Sequence, residues 1–127
     1  MEKHICQAVV IHCIDFRIQE AIHDFLQGFH GVDHISLAGG VKELLEKGKE
    51  SLTFSNLEIS SRLHEPKKII LVQHEDCGAY GGSKAFENAQ KETEFQREQL
   101  EKAKELLSVS FFQAIETKIA YLTGEMK

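Results

Sequence analysis

Short apolar runs and amphipathic stretches alternate along the whole chain. Ala8-Val9-Val10-Ile11 is β-branched and unalternating, the pattern of a strand buried on both faces of a parallel sheet. From Ile18 the apolar positions fall at Ile18, Ile22, Phe25, Leu26 and Phe29, one stripe of a helix closed by Gly28 and Gly31. Val32 to Leu37 is a second strand, ending in Ala38-Gly39-Gly40, where small residues let backbone approach backbone or a bound group. Helix in one or two pieces follows between Val41 and Leu63, with Ser51 as N-cap of the second piece and Phe54, Leu57 and Leu63 inward. Lys68-Ile69-Ile70-Leu71-Val72 is the clearest buried strand. Ser83 to about Leu107 has the charge and apolar spacing of a long covering helix, and Ile115 to Leu122 alternates as a last strand at a sheet edge.

Strand and helix alternating in this way predict an α/β fold built on a mainly parallel sheet with right-handed crossovers. The 127 residues suffice for one hydrophobic core, so a single domain over residues 1–127 is expected, with neither linker nor repeat. A net charge of −5 and the lack of a long Lys/Arg run argue against a nucleic acid or membrane-surface partner. The apolar run after Met1-Glu2-Lys3-His4 is far shorter than a signal-peptide core or membrane span, which predicts a cytoplasmic protein. In that reducing compartment three cysteines, Cys6, Cys13 and Cys77, favour metal binding or catalysis over disulfides.

Cys13 follows the first strand, and His74 and Cys77 follow the strand that begins at Lys68. Ligands of open parallel sheets gather outside the carboxyl ends of strands. Two thiolates and an imidazole suit Zn²⁺ and leave a fourth position open for water. Asp15 and Arg17 lie just beyond Cys13, where a guanidinium can hold a carboxylate ionised beside the metal. The plain alternatives are buried thiols and a structural ion pair. Cys6 has no partner at metal-ligand spacing and reads as a spare thiol. His12 reads as a hydrogen-bonded packing residue, and His4, His23, His30, His34 and His64 as surface or helix-end residues.

Cys13-Ile14-Asp15-Phe16-Arg17 resembles the Cys-x-Asp-x-Arg motif of β-carbonic anhydrases, and His74-Glu75-Asp76-Cys77-Gly78 resembles their His-x-x-Cys-Gly. The resemblance implies a three-layer α-β-α fold around a mainly parallel four- to five-stranded sheet, Zn²⁺ bound by Cys13, His74 and Cys77, an Asp15/Arg17 dyad, a homodimer or higher homo-oligomer, and reversible hydration of CO₂ to bicarbonate. It covers roughly residues 8 to 80. The chain departs from the family pattern at Ser36-Leu37, where the family carries Arg-Asn. It also departs at Glu75, which would bring negative charge toward an anionic product, and in the short segment before the first strand. Two other readings use the same site: hydrolysis of COS or CS₂, and a zinc-binding or regulatory protein without turnover.

Overall fold

The computed structural model describes residues 4–127; Met1 to Lys3, read above as the lead-in to the first apolar run, lie outside the described residues. Its sheet is built from β1 (Ala8–His12), β2 (Val32–Ser36), β3 (Lys68–His74) and β4 (Ala114–Ala120). The order across the sheet is β2-β1-β3-β4, and every pairing is parallel. Parallel neighbours need crossover connections, and these supply α1 (Gln19–Phe25), α2 (Lys42–Lys47), α3 (Leu52–His64) and α4 (Ala89–Ser108).

Successive strand residues face opposite sides, so β1 feeds two cores. Val9 and Ile11 join Ile69 and Leu71 of β3 under Leu44, Phe54, Leu57, Leu100 and Leu107, the inner stripes of α2, α3 and α4. Ala8 and Val10 join Ile70 and Val72 beneath Ile18, Ile22 and Leu26 on the α1 side. Burial on both faces is the reason these strands read as continuous apolar runs. β4 borders only β3, as its alternation predicts.

Several boundaries differ from the sequence reading. The first helix is shorter: only Gln19–Phe25 is α-helical, flanked by 3₁₀ turns at Phe16–Ile18 and Leu26–Gly28, and Phe29 is already extended. Ser51 does cap α3, its hydroxyl accepting from the Phe54 amide at 2.9 Å, but Leu63 is 48% exposed and lies off the buried stripe. The last helix begins at Ala89 rather than Ser83. Asn88 caps it through the Lys91 amide, and Ser83–Ala85 is a separate 3₁₀ turn. The reason is local, since an Asn side chain that satisfies orphan amides sets a helix start more firmly than charge-rich composition does.

Candidate metal centre

The chain leaves β1 for β2 on one side and later places β3 on the other, which opens a crevice at the carboxyl ends of β1 and β3. Cys13 is the residue after β1 and His74 is the last residue of β3; Cys77 arrives through a tight turn in which Asp76 takes a left-handed backbone, φ 56°. The Cys13 and Cys77 sulfurs are 4.0 Å apart, and these two and a His74 ring nitrogen all lie within 4.8 Å of one another. All three residues are buried.

His74 Nδ1 donates to the Glu75 carbonyl at 2.7 Å, which places the proton on Nδ1 and leaves the Nε2 lone pair free. Nε2 is buried without a hydrogen-bond partner. A buried ring nitrogen is costly to leave unpaired, and here it faces two sulfurs. That orphan, with a donor set of two thiols and an imidazole, fits a tetrahedral zinc ion whose fourth position is open. The electrostatics agree. The Cys13 thiol is pulled down by a hydrogen bond from Cys77, against burial and with help from His74 and the Gly39 amide at 3.3 Å. Cys77 is pushed up by that shared proton and by burial. Burial opposes charge on His74, yet the Cys13 sulfur, the Glu75 carbonyl and Asp15 outweigh it and raise its pKa. The cluster therefore favours positive charge at its centre.

Asp15 Oδ2 is 3.9 Å from His74 Nε2. Arg17 grips this carboxylate with Nη2 at 2.7 Å from Oδ2, Nε at 3.1 and 3.2 Å from the two oxygens, and its backbone amide at 2.9 Å from Oδ1. Hydrogen bonds from the Arg17 side chain, assisted by its amide and its charge, hold Asp15 at about 2. Arg17 is itself anchored, with Nη1 at 3.0 Å from Asp76 Oδ2 and Nη2 at 2.9 Å from the Asp76 carbonyl. The Gln19 amide clamps the same turn, donating to the Cys13 and Asp15 carbonyls at 3.0 and 2.7 Å.

Two supporting residues are polar positions on an otherwise apolar stripe. Glu92 and Gln96 occupy the buried stripe of α4 in register with Leu100, Ala103 and Leu107. Glu92 accepts from the Asp76 amide at 2.8 Å and the Ser83 hydroxyl at 2.9 Å, fixing the loop that anchors Arg17. Gln96 accepts from Gln73 at 3.0 Å, while Gln73 accepts from the Val41 amide at 2.9 Å and donates to the Gly39 carbonyl at 3.1 Å. A Cβ on Gly40, at φ +61°, would collide with Gln73 Oε1, so the small turn after β2 is there to let backbone reach this amide. The helical offset to Leu100 was the signal that could have found Glu92 and Gln96.

Other expectations divide. Glu75 does not line the pocket; its carboxylate accepts from the Leu122 amide at 2.6 Å, away from the sulfurs. His12 is hydrogen-bonded, to the Cys13 carbonyl at 2.9 Å and to His34 at 3.1 Å. Cys6 is not a spare thiol without neighbours, because β2 and α3 bring Asp33 and His64 to it. Sequence spacing missed that grouping because its members come from three separate elements. The mouth of the crevice is an apolar pocket of about 400 Å³ lined by Cys13, Ile14, Asp15, Phe16, Ala38, Gly78 and Ala79.

A family model described as "Putative carbonic anhydrase" matches residues 2–122. The chain belongs to this carbonic anhydrase family. Two curated relatives, both uncharacterized proteins, come from Rickettsia bellii (29% identity) and Rickettsia conorii (26% identity). Each match takes in 81% of this chain, but the chain spans only 68% and 60% of their respective lengths. Among solved structures, a β-carbonic anhydrase of Aspergillus fumigatus superposes with a TM-score of 0.73 at 13% identity, covering 98% of this chain and 75% of that one. Tetrameric β-carbonic anhydrases of Sordaria macrospora give 0.69 at 13% identity, over 98% and 80%. The apo form of a carbon disulfide hydrolase gives 0.66 at 15% identity, over 98% and 79%. These likenesses establish the parallel α/β fold.

Proposed function

We propose that this protein is a zinc-dependent lyase that reversibly hydrates CO₂ to bicarbonate, formed from one domain over residues 1–127. Cys13, His74 and Cys77 hold the ion, with Asp15 and Arg17 as the catalytic pair. The observation that carries the reading is the unpartnered, buried His74 Nε2 facing two sulfurs 4.0 Å apart, in a chain of the carbonic anhydrase family. A bound zinc ion supplies Lewis acidity that turns water into a nucleophile near neutral pH.

The chain's own residues do the rest. The Glu75 carbonyl fixes the His74 tautomer and ring orientation. Asp15, kept ionised by Arg17, accepts a proton-side hydrogen bond from the reacting water and so aims an oxygen lone pair into the pocket. Ile14, Phe16, Ala38 and Ala79 offer a small uncharged substrate an apolar surface, and a charged product gains little by staying there. Both Asp15 oxygens accept from Arg17, and Oδ2 also lies 3.9 Å from His74 Nε2, so the fork holds the carboxylate at the edge of the ligand set.

Phe16 is 85% exposed and Ile14 61% exposed at the pocket mouth. Such side chains favour a homodimer or higher homo-oligomer that covers them, in keeping with the tetrameric likeness. Three free cysteines fit a cytoplasmic location. No described helix is long and apolar enough to cross a membrane.

A second reading, hydrolysis of CS₂ or COS at the same site, is favoured by the apolar pocket and by the likeness to a carbon disulfide hydrolase. Stopped-flow CO₂ hydration on protein of known zinc content, at about pH 8.5, tests the proposal. A rate above buffer that collapses in Asp15→Asn with zinc retained supports it. A fully loaded, silent protein overturns it and sends the question to CS₂ and COS, then to a zinc-binding role without turnover.

A further inference from the structure

At the opposite end of β1 from Cys13 lies a second group of metal-binding side chains. Cys6 precedes β1, Asp33 sits in β2 beside Val9, and His64 is the last residue of α3. One ligand atom from each lies within 4.8 Å of the other two. The backbone makes the meeting rigid: the Cys6 amide donates to the His64 carbonyl at 3.0 Å, and α3 returns here because Phe54 and Leu57 bury against the sheet.

The group is organised around one carboxylate. Asp33 Oδ2 accepts from the Ser60 hydroxyl at 2.6 Å and from His64 Nδ1 at 2.7 Å. The Cys6 thiol lies between this carboxylate and the Ala8 carbonyl, which is 3.4 Å from its sulfur. Cys6 is 7% exposed, while the Asp33 and His64 side chains are 28% and 38% exposed, so the group is closed from behind and open to solvent in front. A helix-end anchor accounts for Ser60 and His64 on Asp33. It does not account for a thiol set against the same carboxylate, since a thiol is a weak donor and a poor anchor.

We propose that Cys6, Asp33 and His64 form a second divalent transition-metal site, taking Zn²⁺ as three protein ligands with solvent as the fourth. Sulfur, imidazole nitrogen and carboxylate oxygen are the three donor types zinc accepts. The charges and protons balance. Binding releases the Cys6 thiol proton to solvent, and the His64 proton moves from Nδ1 to Nε2, freeing Nδ1 for the metal. With a thiolate and a carboxylate against a divalent cation, the site becomes neutral. The ion would pin the segment before β1 to β2 and to the end of α3, and so act on the stability of that end of the sheet.

The test uses the full chain with the first site removed, Cys13→Ser/Cys77→Ser, titrated with Zn²⁺ and, for its absorption spectrum, Co²⁺. One equivalent per chain is expected, with a thiolate-to-cobalt charge-transfer band and a rise in Tm. Adding Cys6→Ser should abolish the band. His64→Asn, at a partly exposed helix end where folding is not at stake, should weaken binding by more than the roughly tenfold that loss of even an outer partner costs. Binding unchanged by both substitutions, or no metal taken up by the folded double variant, overturns the proposal. Wild-type protein separates the two sites. Two equivalents, one lost with Cys13 and Cys77 and the other with Cys6, is the expected result. A single equivalent lost only with Cys13 and Cys77 removes this site and leaves the carbonic anhydrase reading standing.

Discussion

At the scale of single residues, the site depends on side chains that act through others. Arg17 touches Asp15 with three side-chain contacts and Asp76 with two, so its loss both frees the carboxylate and loosens the loop. Arg17→Gln should therefore lower CO₂ hydration by about 10- to 100-fold with zinc content retained, measured by stopped flow on metal-quantified protein. Asp15 is held at about 2, so its own protonation cannot shape a rate profile near neutral pH. The same depression has a consequence for stability. Asp15, Asp33 and Asp76 all lie below the ordinary carboxylate value: Arg17 lowers Asp15, the Ser83 amide and Arg17 lower Asp76, and at Asp33 hydrogen bonds from Ser60 and His64 overcome burial. A depressed folded-state pKa means stability that is present above the unfolded value and lost as pH falls through the folded one. Tm should thus drop as pH is lowered from about 5 toward 2, and Arg17→Gln should flatten that slope.

At the scale of elements, α4 carries two functions on one stripe. Leu100, Ala103 and Leu107 seal the core, while Glu92 and Gln96, two turns and one turn nearer its start, hold the loops of the candidate metal centre. Leu107→Ala should cost about 2 to 5 kcal/mol by chemical denaturation, because a fully buried leucine leaves a cavity. Asn88→Ala should cost only about 1 kcal/mol, the usual loss of an N-cap. From its sequence α4 reads as a covering helix, because polar residues on a helix ordinarily face water. Glu92 and Gln96 do not, since Asp76, Ser83 and Gln73 supply hydrogen bonds inside. This helix starts later than its charge pattern suggests for a related reason: charge-rich composition extends through Ser83–Ala85, but the Asn88 cap sets the boundary.

At the scale of the whole molecule, the centre joins β1 to the β3 loop across the middle of the sheet, so a bound ion should act as a cross-link. Saturating Zn²⁺ at about 100 times its Kd adds roughly 2.7 kcal/mol to a chain that binds only when folded. Chelator treatment should accordingly lower Tm in the wild type, and by less in Cys13→Ser, as read by thermal melts with and without EDTA. The exposed Phe16 and Ile14 belong to this scale too, since a single chain leaves them in water. On the proposed assembly, Phe16→Asp should shift the protein to monomer in sedimentation velocity; an unchanged distribution would rule out an interface at Phe16.

The sequence by itself determined the parallel α/β plan and the convergence of Cys13, His74 and Cys77. A strand buried on both faces must be apolar throughout, and residues just past such strands must gather at one edge of the sheet. Asp15 and Arg17 were legible for the same reason, lying within one turn of Cys13. Only the tertiary structure decided where polar side chains point. Glu75 turns to the Leu122 amide, Glu92 turns inward to the Asp76 loop, and Cys6 meets Asp33 and His64. These are contacts between elements far apart in the chain. Local periodicity reports whether a position is buried, and it carries no information about which distant partner makes burial of a polar group tolerable.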